Sequence, residues 1–373
     1  MKNKTSLLTL AATTVLASSA YSQTVIDITG STAGRSAVHT QILALLTGET
    51  LAWNGGSNAA GATRVIYNGS YAGNPVIVRT FWSGSAAGVR DISNQPQLAA
   101  SYFDKTTDTS AGTTAAGVNI PSPTLAPASA ETVSEIGFSD VFQSSTAFTT
   151  NTLVNQTAVG VIPFKFFRNE GSSALLTNVT PGLHNNLYKG LGEAPLSMFT
   201  GNVLDTSLVY ATGRDEFSGT RITCLAETGA GVFAGLNQYT GVLTGNAVTT
   251  FTFVGNGGYA SGSGVATLLG GTYSGGAILG YLGASDWSSA VTNGAVEVAY
   301  NGVTLGANSD LIRNGQYSFW GYLHQSRMTL TGTSLSFYNA LSGALELAPG
   351  TGLILNASMN VERAADGAAI TPK

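Results

Sequence analysis

The chain has 373 residues, of which 43% are hydrophobic and 10% charged, and 16 Lys+Arg against 20 Asp+Glu leave a net charge of -4. So sparse and slightly acidic an inventory excludes nucleic-acid binding through a clustered basic face, and disfavours any partner held by bulk electrostatics. The single cysteine, Cys224, excludes an intramolecular disulfide. Stability must therefore come from burial, and a mature chain of about 350 residues has material for two cores.

In chain order, Met1-Lys2-Asn3-Lys4, an apolar stretch from Leu7 to Ala17 and the small-residue exit Ala20-Tyr21-Ser22 read as a cleaved signal peptide over residues 1–22. Its apolar core is too short to span a bilayer. No cysteine lies near the exit, so a lipid anchor is not expected and the mature protein is placed in the periplasm or outside the cell. Thr24–Ile28 predicts a short buried strand running into the small-residue turn Thr29–Gly34, and Val38, Ile42 and Leu45 recur at helical spacing over Ser36–Leu46. The same strand-turn grammar returns at Pro75–Phe81, followed by Trp82-Ser83-Gly84-Ser85-Ala86-Ala87-Gly88-Val89, and at Glu135–Val141, which ends on Ser139-Asp140. Between them, Thr106–Glu131 is rich in Thr, Ala, Ser and Pro and reads as a loop insertion.

Val159–Phe167 predicts a strong strand crossing between two lobes. Ser207–Ala211 is a fourth strand, leading into Arg214–Thr220 and then Arg221–Leu225, which opens a helix. The charge-free run Thr228–Ser285 contains an apolar stretch, Val265–Leu282, whose five glycines and Thr272-Tyr273-Ser274 interruption favour buried strands and turns over a membrane helix. Ala277–Gly283 is read as the return crossing, with Val296–Tyr300 and Leu353–Val361 as further strands. Strands alternating with helices predict an α/β protein with largely parallel sheets, whose ligand lies beyond the carboxyl ends of the strands. Lobe 1 is expected over residues 23–158 and 284–373, and lobe 2 over 159–283.

The most specific run is Arg214-Asp215-Glu216-Phe217-Ser218-Gly219-Thr220. A helix starting near Ser218 has outward N–H groups without intrahelical partners, and Gly219 lets a ligand approach the main chain. Ser218 and Thr220 add hydroxyl donors, and Arg214 adds a planar fork suited to tetrahedral oxyanions. The plain alternative is that Ser218 only caps a helix while Arg214 pairs with Asp215 or Glu216 on the surface. His39, His184 and His324 are isolated, and no H-E-x-x-H, G-x-S-x-G or Asp-rich metal run is present. No catalytic residue, metal or cofactor is therefore expected, and a secreted phosphatase is disfavoured. Cys224 reads as a small buried hydrophobe.

Taken together the turns resemble those of the periplasmic phosphate-binding proteins of phosphate ABC transporters. Gly30-Ser31-Thr32 looks like that family's first phosphate loop, Gly84–Val89 is similar to its G-S-S-G-G-V loop, Ser139-Asp140 to its A-S-D turn, and Arg214, Ser218, Gly219 and Thr220 match its R-x-x-x-S-G-T motif. Ile278–Tyr281 resembles its I-G-Y return strand, and Asn314–Phe319 its G-x-Y-P phrase. The resemblance implies a two-lobed type II solute-binding fold with a hinge and an interlobe cleft. It implies a phosphate site formed by Ser31, Thr32 and the Ala33 N–H, Ser85, Asp140, Arg214, Ser218, Gly219 and Thr220. It also implies a monomer that captures inorganic phosphate for a permease in the inner membrane. A carboxylate facing an anion is repulsive unless the ligand carries a proton to donate, so Asp140 would accept from hydrogen phosphate and repel sulfate. The competing expectations are an exported β-rich surface protein without a small ligand, and the same fold holding another oxyanion.

Overall fold

The computed structural model describes residues 23–93, 101–105, 117–126 and 134–373. The expected signal peptide lies outside the described residues, as does the expected insertion apart from residues 117–126. The chain opens with strand β1 (Thr24–Gly30), helix α1 (Arg35–Leu45), strands β2 (Thr47–Asn54), β3 (Arg64–Tyr71) and β4 (Asn74–Phe81), helix α2 (Ser85–Ile92), and strands β5 (Val118–Asn119) and β6 (Ile136–Ser139). β1 pairs in parallel with β4 on one side and β6 on the other, so its Ile26 and Ile28 are wholly buried. β2, β3 and β4 form an antiparallel meander, and the β3–β4 turn places Ala72 and Gly73 at positive φ, the backbone of a tight hairpin. β5, inside the expected insertion, adds a parallel edge strand to β2.

Strand β7 (Val154–Arg168) follows, then β8 (Asn178–Val179), α3 (Pro181–Tyr188), β9 (Glu193–Pro195), α4 (Ser197–Thr200), β10 (Leu208–Ala211) and α5 (Gly219–Glu227). Thr180 caps α3 by accepting from the Leu183 N–H, and Pro181 occupies the first turn, where its missing N–H costs nothing. A hairpin of β11 (Gln238–Thr244) and β12 (Ala247–Gly255) precedes α6 (Gly262–Leu269), β13 (Gly276–Gly283), α7 (Ala284–Thr292), β14 (Val296–Tyr300) and α8 (Asp310–Arg313). The chain ends with β15 (Trp320–Arg327), α9 (Gly332–Leu347), β16 (Val361–Glu362) and β17 (Thr371–Pro372).

One sheet runs through the molecule in the order β5-β2-β3-β4-β1-β6-β15-β7-β13-β10-β9. β7 spans both lobes: residues from Val154 to Pro163 pair with β15, and Phe164–Arg168 pair with β13. β15 lies antiparallel between β6 and β7. The two-lobed α/β arrangement with an interlobe cleft expected from the sequence is thus present. A row of buried aromatic rings, Phe164, Phe166, Tyr300 and Phe319, packs along the crossing, with centroids 5.2 to 5.8 Å apart.

Three readings of the second half are corrected. Ala277–Gly283 is not a return crossing: it is β13, parallel to β10 inside the second lobe, and it leads into α7, which packs on α6, while β14 pairs with the second half of β7. Gly262–Leu269 within the charge-free run is helical: Val265, Ala266, Leu268 and Leu269 are buried on one face while Ser263 and Thr267 are exposed on the other, so uncharged hydroxyl residues supply the polar stripe. Leu353–Val361 holds only an isolated bridge from Ile354 to Val161 and one short turn of 3-10 helix before β16. No helix among the described residues is long and apolar enough to cross a membrane.

Candidate anion-binding site

Four loops at the carboxyl ends of β1, β4, β6 and β10 meet between the lobes. β1 ends in Gly30, after which Ser31 donates its N–H to the Phe138 carbonyl at 2.8 Å and turns back. The Ser31 Oγ then accepts from the Ala33 and Gly34 amides at 3.1 and 3.3 Å, which shapes the turn into α1. The N–H of Ala33 is therefore engaged inside the loop, and Thr32 supplies the amide without an acceptor. After β4, Gly84 adopts φ 107° with its Cα against the Phe217 carbonyl, a position and conformation open only to glycine, and Ser85 begins α2. Ser85 Oγ accepts from the Asp140 N–H at 3.1 Å, tying the second loop to the third.

From the other lobe, Ser218 caps α5 by accepting from the Arg221 N–H at 3.3 Å, so its hydroxyl does the capping work of the plain reading. Gly219 and Thr220 then present the first amides of the helix. A Cβ at Gly219 would collide with Asp140 Oδ1 and Ser85 Oγ, which shows how closely the α5 terminus approaches the first lobe. Arg214 does not pair with Asp215 or Glu216. It is 2% exposed, and its Nε donates to the Tyr259 carbonyl at 3.0 Å, and its Nη2 to the Ala260 carbonyl at 2.9 Å and to Thr32 Oγ1 at 3.3 Å across the cleft. Two further bonds join the lobes: the Ala86 N–H donates to the Phe217 carbonyl at 3.0 Å, and Thr223 Oγ1 donates to the Asp140 carbonyl at 3.5 Å.

The nine residues singled out in the sequence are brought together, and all of them are buried. The amides of Thr32, Ser85, Gly219 and Thr220 and the Nη1 of Arg214 have no acceptor among the described residues. Two of the amides open α5 and one opens α2, where the helix dipole adds a partial positive charge. Set against these donors is one acceptor, Asp140 Oδ1, which is buried and has no hydrogen-bond partner. Burial pushes the Asp140 carboxyl up to about 6, offset in part by its own N–H, the Arg214 charge and the nearby Ser31 and Thr220 hydroxyls.

Two residues at the cleft escaped the sequence reading. Arg35, in the first turn of α1, and Asp286, in the first turn of α7, are 7% and 8% exposed, and each acts on the other's charge and on that of Arg214 or feels it. Arg35 follows the first small-residue turn directly, which was the available signal. Asp286 was hidden by reading β13 as a crossing, although Gly283-Ala284-Ser285-Asp286 repeats the strand-turn-helix grammar of the other loops. Among the described residues no group of three or more His, Cys, Asp or Glu is placed to hold a metal. Buried His184 and Cys224 lie 3.4 Å apart, but burial lowers the imidazole to about 4 and raises the thiol well above its ordinary range, so neither forms its reactive ion there.

No protein-family profile matches the sequence, and no curated protein matches it. Among solved structures the chain is similar to PstS from Borrelia burgdorferi, at 12% identity and a TM-score of 0.37 over 86% of this chain and 92% of that one. It is also similar to a possible phosphate binding protein from Planctomyces limnophilus DSM 3776, at 10% identity and a TM-score of 0.45 over 90% of this chain and 95% of that one.

Proposed function

We propose that the chain is an exported solute-binding protein that holds inorganic phosphate in the cleft between its lobes and delivers it to an ABC-type permease of the inner membrane. The observation that carries this reading is the imbalance of the site. Four buried amides and one guanidinium nitrogen lack acceptors, while a single buried carboxylate oxygen lacks a donor. Leaving a buried polar group unpaired costs about 1–3 kcal/mol, so such a cluster favours a ligand that is acceptor-rich and carries one donor. Hydrogen phosphate has that pattern and sulfate at neutral pH does not, which supports phosphate over other oxyanions. The basic start, short apolar core and small-residue exit of residues 1–22 support export. The lobes divide on this reading at β7 and β15, the protein acts as a monomer without a cofactor, and closure about the two crossing strands encloses the ligand.

Calorimetric titration of unfolded, ligand-stripped and refolded protein with phosphate and with sulfate at neutral pH tests the reading. Tight phosphate binding with little response to sulfate is expected. Absence of heat and of thermal shift with both anions would overturn it in favour of a surface protein whose turns are structural. Hydrolysis of an aryl phosphate is expected to stay at background.

A further inference from the structure

We propose that Arg35 is a second cation of the anion site, brought into the field of Asp286 by the approach of α7 but left unpaired, and that the ligand is therefore an oxyanion carrying more than one negative charge. This inference rests on the anion-site reading above.

Arg35 and Asp286 are brought together by the packing of α7 against the first loop. A Cβ placed on Gly283, at the end of β13, would stand 3.3 Å from the Ala33 Cβ. Two residues beyond Ala33 is Arg35, and three beyond Gly283 is Asp286, each in the first turn of its helix. The Asp286 carboxylate rests against Gly262, its Oδ2 accepting from Ser285 Oγ at 3.1 Å. Gly262 lies two residues beyond Ala260, whose carbonyl holds Arg214 Nη2. The two guanidinium groups and the Asp286 carboxylate thus lie close enough to act on one another's charge.

Arg35 has five donors, and among the described residues none is used: it makes no hydrogen bond, and no carboxylate lies within ion-pair distance. Every other buried arginine of the described chain has at least two such bonds, as Arg79, Arg90, Arg214, Arg221 and Arg363 do. Arg35 is 7% exposed and has given up most of its hydration without gaining a hydrogen bond, and burial together with the nearby Arg214 charge lowers its pKa while Asp286 raises it. An incoming oxyanion supplies both the missing acceptors and the countercharge for two guanidiniums side by side. A purely structural arginine has no reason to sit beside another cation with its fork unused.

The test compares phosphate binding by calorimetry in the wild type, Arg35→Gln, Arg35→Lys and Arg214→Gln. Loss of one charge-assisted contact predicts a phosphate Kd raised about 10- to 100-fold in Arg35→Gln, with partial recovery in Arg35→Lys, which keeps the charge and loses the fork. An Arg35→Gln affinity within twofold of wild type, beside a loss in Arg214→Gln, overturns the role of Arg35 and leaves the phosphate reading standing. If the wild type gives no phosphate heat, the phosphate reading itself fails. The Arg35 inference then stands on the rise in melting temperature with added sulfate: a rise abolished by Arg35→Gln supports it, and no rise, or one unchanged in the variant, overturns it. Should Arg35→Gln not fold, Arg35→Lys carries the same comparison.

Discussion

Asp140 gives the sharpest handle on the cleft, because its carboxyl is wholly buried and has an oxygen without a partner. Its pKa is pushed from an ordinary 3.8 to about 6, first by burial. The native protein therefore keeps a proton that the unfolded chain has already released, and stability from this group is fully present below pH 4 and lost as pH rises through about 6. Two pK units correspond to about 3 kcal/mol at neutral pH. Asp140→Asn removes the charge while keeping size and an acceptor, and its amide can donate to the neighbouring Ser31 or Thr220 hydroxyl. With some of the gain lost to imperfect pairing, the ligand-free variant is expected to be about 2 kcal/mol more stable than wild type at pH 7 and nearly equal at pH 4. That is a rise of roughly 4 °C in melting temperature for a chain of this size.

Differential scanning calorimetry of both ligand-free proteins in phosphate-free buffers between pH 4 and 7.5 reads this directly. Asp366, whose carboxyl is also pushed to about 6 by burial and feels the Asp140 charge, titrates in the same range. Only the difference between the two proteins isolates Asp140. A variant less stable than wild type at pH 7, or a difference that does not change with pH, refutes the account of a strained buried carboxylate. The same variant should bind sulfate more tightly than wild type does, since the repulsive charge is gone.

Arg214→Gln removes the donors to the Tyr259 and Ala260 carbonyls, and should lower stability by about 1.5–3 kcal/mol in denaturant titration and eliminate phosphate heat. Gly219→Ala places a methyl group against Asp140 Oδ1 and Ser85 Oγ; we expect phosphate binding to fall at least a hundredfold by calorimetry and the ligand-free radius of gyration in solution scattering to grow as the lobes part. His324, buried on β15 with neither ring nitrogen bonded and its ring 4.4 Å from that of Phe142, is lowered to about 4 by burial. Because the unfolded ring charges near 6.5, the fold loses stability as pH falls from there toward 4, and His324→Phe should gain about 2 kcal/mol on wild type between pH 7 and pH 5 in urea titrations.

The four cleft loops were legible because each follows the same local grammar: a short apolar run of strand-forming residues, then small or polar residues where the backbone turns. β1, β4, β6 and β10 all obey it; the carboxyl ends of β1, β4 and β6 meet because the three strands are parallel, and that of β10, parallel to β13, comes to them from the other lobe. What failed was position along the crossing. Val159–Phe167 and Ala277–Gly283 are equally apolar, since β7 and β13 are adjacent buried strands, and composition does not distinguish a strand inside one lobe from one joining two. The β2–β3 meander went unread because its apolar runs, Leu51–Trp53 and Val65–Tyr67, are only three residues long and are flanked by Thr, Asn, Gly and Ser. α6 was missed because its solvent face is made of uncharged Ser263 and Thr267, a weak contrast with its apolar face, and because the glycines that discouraged a helix stand at its ends. Arg35 and Asp286 come together only through α7, so no spacing in the chain announces them.

A protein of net charge -4 holding a multiply charged anion on this reading needs its field to be local. Net charge is screened beyond about 8–10 Å, whereas groups within the closed cleft act through a poorly polarisable interior. The amides of Thr32, Ser85, Gly219 and Thr220 are fixed dipoles that need no counterion when the cleft is empty, unlike lysines on a surface. The two guanidiniums lie in the field of Asp286 and Asp140 without an ion pair to either. Ligand-free, the lobes can meet, as the Arg214–Thr32 and Ala86–Phe217 bonds show. Attraction then comes from geometry that matches acceptors to donors, and discrimination from the one carboxylate that a fully deprotonated anion cannot satisfy. Removing Asp140's charge and removing Arg35's should therefore act in opposite directions on sulfate, the first strengthening and the second weakening its binding, a contrast that a site working by net charge alone would share but without the Arg35→Lys shortfall that fork geometry demands.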